Sequence, residues 1–110
     1  MEKLEQYRQA IRSLLKEYAT NENQDDLETQ VIFDQEHDHY QLVSLGWQGQ
    51  RRFYSCLMHL DIKGGKIWIQ RNQTDRLIAQ ELVEMGVPRE DIVLGLQPAY
   101  ARPDTGYGVA

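Results

Sequence analysis

The chain has a single cysteine, Cys56, which excludes an internal disulfide framework and the clustered thiols of a structural zinc site. It also lacks any apolar run near the ~20 residues that a membrane-crossing helix needs. The start, Met1-Glu2-Lys3-Leu4-Glu5, does not show the basic-then-apolar order of a secretory leader. Together these absences set the expectation of a cytoplasmic protein with no membrane contact. Cations are short too: 12 Lys and Arg stand against 17 Asp and Glu, a formal net charge of -5. Non-specific DNA affinity comes almost entirely from cations that neutralise phosphates, so an acidic chain starts at a disadvantage there. The pairs Arg51-Arg52, Lys63 with Lys66, and Arg71 with Arg76 are the candidate basic patches, and none has the density of a basic arm.

What is present suffices for one core. A chain of 110 residues with 41% hydrophobic residues can bury a single modest core. The expectation is one domain over 1–110, folding alone or as a small homo-oligomer. Leu4, Tyr7, Ile11, Leu14, Leu15 and Tyr18 recur at spacings of three and four, the signature of an amphipathic helix running to about Thr20. Asn21 and Asn23 break it with a polar turn. Leu27, Thr29, Val31 and Phe33 alternate as a strand, and a charged connector, Asp34 to Asp38, leads to a second strand from His39 to Trp47. Tyr54, Cys56, Met58, Leu60 and Ile62 read as one apolar face of a long third strand.

Gly64-Gly65 between β-rich runs is a tight-hairpin signal, because primed turns need positive φ at their centre. Ile67 to Gln70 is the fourth strand. A second helix is expected from Thr74 or Asp75, carrying Leu77, Ile78, Leu82 and Met85, with Gly86 as its stop, Pro88 beyond, and one further turn through Arg89-Glu90-Asp91. Ile92 to Leu96 suggests a short last strand, and 97–110, with Pro98, Pro103, Gly106 and Gly108, an irregular tail. The order predicts an α+β fold: one antiparallel meander of four to five strands with both helices on one face.

Three groupings invite a chemical reading. Asp34, Glu36, His37, Asp38 and His39 mix imidazole and carboxylate in a way that suits a transition metal. A charged connector between strands is more simply a solvated turn, so no metal is expected. Ser55, His59 and Asp61 share strand parity, but at ~3.3 Å per residue the serine stands about 13 Å from the histidine, too far for a nucleophile and its base. Cys56 alternates with Tyr54 and Met58 and is expected in the core, where a thiol is inert. The glycines form no phosphate-binding loop or dinucleotide fingerprint, and no cofactor is expected. Tyr40, Trp47, Phe53, Tyr54 and Trp68 could stack bases on a sheet. Most follow the core alternation and are expected as packing. Trp68 lies between Ile67 and Ile69 and should face the other way. The candidate partner-binding face is therefore Tyr40, His59, Asp61, Trp68, Gln70 and Arg71.

The run Asp38-His39-Tyr40-Gln41-Leu42 leading to Gly46-Trp47, then His59-Leu60-Asp61-Ile62 and Gly65-Lys66-Ile67-Trp68-Ile69-Gln70, closely resembles the signature of the XisI-like family of fdxN-element excision controlling factors. So do Ala79 to Leu82, Gly86-Val87-Pro88, Glu90 to Gly95, and Arg102, Thr105 and Val109-Ala110. His37, Gly106 and Gly108 depart from the pattern, the first from an arginine and the glycines from bulkier residues. The resemblance spans essentially the whole chain. It implies a non-catalytic accessory in the developmentally programmed excision of a DNA element in heterocyst-forming cyanobacteria. A separate recombinase and an XisH-like companion of nuclease fold would act beside it. The expected mode is binding of that companion, with DNA or the recombinase complex reached indirectly. A direct DNA-binding factor is the alternative, and a small enzyme comes third.

Overall fold

The spacing at three and four does build a helix. In α1, Lys3–Asn21, the residues Tyr7, Ile11, Leu14 and Leu15 are buried, and each such side chain removed from water stabilises the fold by about 1.5–3 kcal/mol. The computed structural model describes residues 3–21 and 27–109, so the polar turn expected around Asn23 lies outside the described residues. β1 (Leu27–Asp34), β2 (His39–Gln48), β3 (Arg51–Lys63) and β4 (Lys66–Asn72) follow. Next come α2 (Ile78–Glu84), a 3-10 turn (Arg89–Asp91), β5 (Ile92–Leu94) and a second 3-10 segment (Ala99–Asp104). The sheet order is β1-β2-β3-β4-β5. Its first four strands are an antiparallel meander, whereas β5 returns beside β4 in parallel. A strand reached through a helix naturally returns parallel to the one it left, so the sheet is mostly rather than wholly antiparallel.

Both helices contribute to one core cluster: Ile11 and Leu14 of α1 and Ile78 and Leu82 of α2 meet the sheet through Leu42, Met58, Leu60, Ile67 and Ile69. The Gly64-Gly65 turn joins β3 to β4 with φ of 58° and 79°, the two positive values that a primed hairpin demands. Asp38 ends the β1–β2 turn at φ 60°. Its carboxylate holds the turn to α1 by accepting from Arg8 Nε at 2.8 Å and from the Tyr40 hydroxyl at 3.0 Å. Among the described residues no helix is long and apolar enough to cross a membrane.

Five expectations are corrected. The third strand does not keep one apolar face. Leu42 pairs with Met58 and the next residue, Val43, pairs with Cys56, so Leu57 is an extra residue in a β-bulge. A bulge moves every residue beyond it to the other side of the pleat. Cys56 and Tyr54 therefore leave the core side, with Tyr54 67% exposed, and Ser55 no longer shares a face with His59. Trp47, also expected as packing, is 53% exposed. α2 starts later than expected: Asn72 Oδ1 accepts from the Thr74 amide and hydroxyl, Thr74 in turn accepts from the Arg76 amide, and this turn displaces the helix start to Ile78. Leu77 and Met85 are left exposed. The tail is not irregular throughout, since Ala99–Asp104 is helical and Gly108 bridges to Val93. Finally, Tyr40 is fully buried on the helix side, paired with Leu60 and 5.6 Å from the Phe33 ring. It alternates with His39 and Gln41, and so leaves the candidate partner face.

Candidate functional site

The sheet face away from the helices carries a cluster of imidazole, carboxylate and amide side chains. On this outer face His39 of β2 is paired with Asp61 of β3, Gln41 with His59, Asp61 with Trp68 of β4, and Trp68 with Val93 of β5. Cross-strand partners share a side of the pleat, so register alone collects two imidazoles, a carboxylate and an indole. A second bulge sharpens the arrangement. His59 pairs with Arg71 and Leu60 with Ile69, leaving Gln70 extra, and its amide donates to Asp61 Oδ2 at 3.2 Å.

Asp61 is the centre. Its Oδ1 accepts from His39 Nδ1 and from His59 Nε2, both at 2.8 Å, while Gln41 Nε2 donates to His59 Nδ1 at 3.2 Å. The carboxylate is almost covered, at 11% side-chain exposure against 54% for His39 and 29% for His59. Burial pushes the Asp61 carboxyl up, but the hydrogen bonds from His39 and His59 outweigh it and hold the group below the usual carboxylate range. The same bond from Asp61 raises the His39 imidazole above its ordinary value.

The connector that drew a metal reading in the sequence is divided among separate partners. Asp34 accepts from the His37 ring, Asp38 turns to Arg8, and only His39 reaches the Asp61 cluster. The sequence placed His59 and Asp61 together; it missed His39, whose approach depends on pairing across 22 residues. Cys56 is half-buried beside this face. Its Sγ donates to the Met58 carbonyl at 3.3 Å, and burial raises its thiol above the ordinary value.

Trp68 faces away from the core cluster and is half-buried beneath cations. Lys63 Nζ stands 4.1 Å and the Arg102 guanidinium carbon 5.1 Å from its ring centroid, an attraction contributing about 0.5–1 kcal/mol each at exposed sites. Arg71 Nε donates to the Cys56 carbonyl at 2.8 Å. Toward the far end of the sheet Trp47 and Tyr54 are exposed, with Arg52 5.3 Å from the Trp47 ring, and Ile32 is exposed on β1 level with Gln41.

The XisI protein family model matches residues 1–109. A crystal structure of a XisI-like protein from Anabaena variabilis superposes with a TM-score of 0.93 at 54% identity, covering 99% of this chain and 100% of that one. The crystal structure of fdxN element excision controlling factor XisI, also from Anabaena variabilis, superposes with a TM-score of 0.86 at 32% identity over the same shares. No curated protein matches. Full-length agreement in sequence and fold establishes that this chain belongs to the XisI family.

Proposed function

We propose that this protein is a non-catalytic controlling factor in the excision of a DNA element, and that it acts by binding an XisH-like companion through its outer sheet face. The observation that carries excision control is its 32% identity, over nearly the whole of both chains, to a protein whose name is fdxN element excision controlling factor XisI. The second half rests on the face itself. Contiguous exposed apolar surface rimmed by polar residues marks interaction sites, and Trp, Tyr and Arg dominate the energetics of protein interfaces. Here Trp47 and Tyr54 are exposed, and Arg52, Arg71, Arg102 and Trp68 accompany them on the same side. The net charge of -5 favours a protein partner over the DNA backbone.

Direct DNA binding is supported by one feature, the placement of Lys63 and Arg102 over Trp68 with Arg71 further along β4 on the same face. Co-purification with the XisH-like companion separates the two readings, run with Tyr54→Ala and Trp68→Ala and with DNA retardation at two salt concentrations. A complex lost in the variants, with no DNA shift by the protein alone, supports companion binding. DNA retardation that weakens steeply with salt, without a complex, supports the second reading.

A further inference from the structure

The geometry points to a divalent transition-metal site on the outer face, formed by His39 Nδ1, His59 Nε2 and Asp61 Oδ1. This goes beyond the excision role and does not depend on it. The three ligand atoms come from paired positions of β2 and β3 and lie within 4.8 Å of one another. Both imidazole nitrogens aim at the same carboxylate oxygen at 2.8 Å. Zinc bonds to imidazole and carboxylate are about 2.0–2.2 Å long, so the ligand atoms of a tetrahedral ion stand roughly 3.3 Å apart. Admitting an ion therefore means separating the nitrogens from the oxygen by about half an ångström. His39 and His59, both more exposed than Asp61, make that movement by rotation of their imidazoles, while Gln70 holds the carboxylate in place.

The donor set is selective. Two imidazoles and one carboxylate suit zinc and its first-row neighbours, and an all-oxygen cage for calcium or magnesium is a different arrangement. Three protein ligands with an exposed side leave a coordination position for water or for a group on an incoming molecule. The surrounding bonds are those that position metal ligands. Gln70 holds the second carboxylate oxygen, and Gln41 lies on the far nitrogen of His59. When His59 Nε2 gives its lone pair to a metal, its proton sits on Nδ1, and the Gln41 amide turns over to accept it through its carbonyl oxygen. Such outer partners typically change metal affinity by 10–100-fold.

The test uses the full chain and two probes, Zn2+ in calorimetric titration and Co2+ followed by its visible absorption. The expected result is one ion per chain with micromolar or tighter affinity and the intense bands of four- or five-coordinate Co2+. His39→Gln and His59→Gln should each weaken binding by at least about 30-fold, and Gln41→Leu by about 10-fold, while His37→Gln leaves it unchanged. His39 and His37 are exposed, and circular dichroism confirms that their variants remain folded. The site is overturned by the absence of saturable binding below about 1 mM, by binding that survives either His39→Gln or His59→Gln, or by equal loss in His37→Gln.

Discussion

Tyr7→Phe isolates one buried polar contact between the first helix and the turn that precedes β5. The Tyr7 hydroxyl donates to Asp91 Oδ2, and the two residues are only 3% and 9% exposed. Lys3 Nζ, 3.0 Å from the same oxygen, is largely in solvent. The substitution keeps the ring and its packing and removes only the donor. A hydrogen bond to a charged group contributes about 1.5–3 kcal/mol. Since Lys3 still reaches the carboxylate, the lower end applies, about 1.5–2 kcal/mol, or a fall in Tm of about 6–8 °C for a domain of this size.

The pH dependence gives a second reading of the same bond. Burial pushes the Asp91 carboxyl up, but the hydrogen bonds from Tyr7 and Lys3 outweigh it and hold the group below the usual range. A depressed folded value means that the contribution is complete above the unfolded carboxylate pKa of about 3.9 and is lost as pH falls through the folded value. Urea denaturation followed by circular dichroism should therefore show the full difference between wild type and Tyr7→Phe at neutral pH, and a shrinking difference on acidification below about pH 4. A neutral-pH difference under about 0.5 kcal/mol, or one that widens on acidification, would refute the argument.

Three further outcomes are expected. Gly108→Ala should destabilise more than Gly95→Ala: a Cβ at Gly108 would meet the Glu90 carbonyl oxygen at 2.5 Å, whereas at Gly95 the nearest obstacle is the movable Gln70 amide at 2.6 Å. Chemical denaturation of the two variants side by side measures the order, with about 1–3 kcal/mol expected for the strained site. Gly65→Ala, at φ 79°, should cost about 1–2 kcal/mol through the left-handed backbone alone, and a matching fall in the denaturation midpoint would show it. Cys56, whose thiol is raised by burial, should react slowly with a disulfide reagent at neutral pH and at the normal rate once urea unfolds the chain.

The parts of the fold that rest on local period were legible in the sequence. Leu4 to Tyr18 announced α1, Leu27 to Phe33 announced β1, and Gly64-Gly65 marked a turn that only glycine enters cheaply. The parts that were not legible depend on partners distant in the chain. Nothing around Leu57 signals an extra residue, because Tyr54, Cys56 and Met58 continue to alternate without a glycine or proline. The mismatch arises only against β2. Thr74 looks like a helix cap, but Asn72 engages its amide and hydroxyl first. Tyr7 reads as an ordinary core aromatic, and its bond to Asp91 crosses 84 residues. Within the candidate site, His59 and Asp61 keep the spacing the sequence gives them because the Leu57 bulge lies before both. His39 joins them through register, and Tyr40, one residue on, is carried to the opposite side.

The late arrival of β5 bears on how the chain is made. β4 offers one of its edges to β3 and the other to a three-residue strand beginning at Ile92, which Gly108 in turn bridges through Val93. During synthesis the meander is complete many residues before that second edge is covered, and unpaired strand edges next to apolar side chains such as Ile67 and Ile69 are templates for pairing with another copy. A nascent chain halted before Ile92 would present such an edge, and it is the last fifth of the protein that closes it.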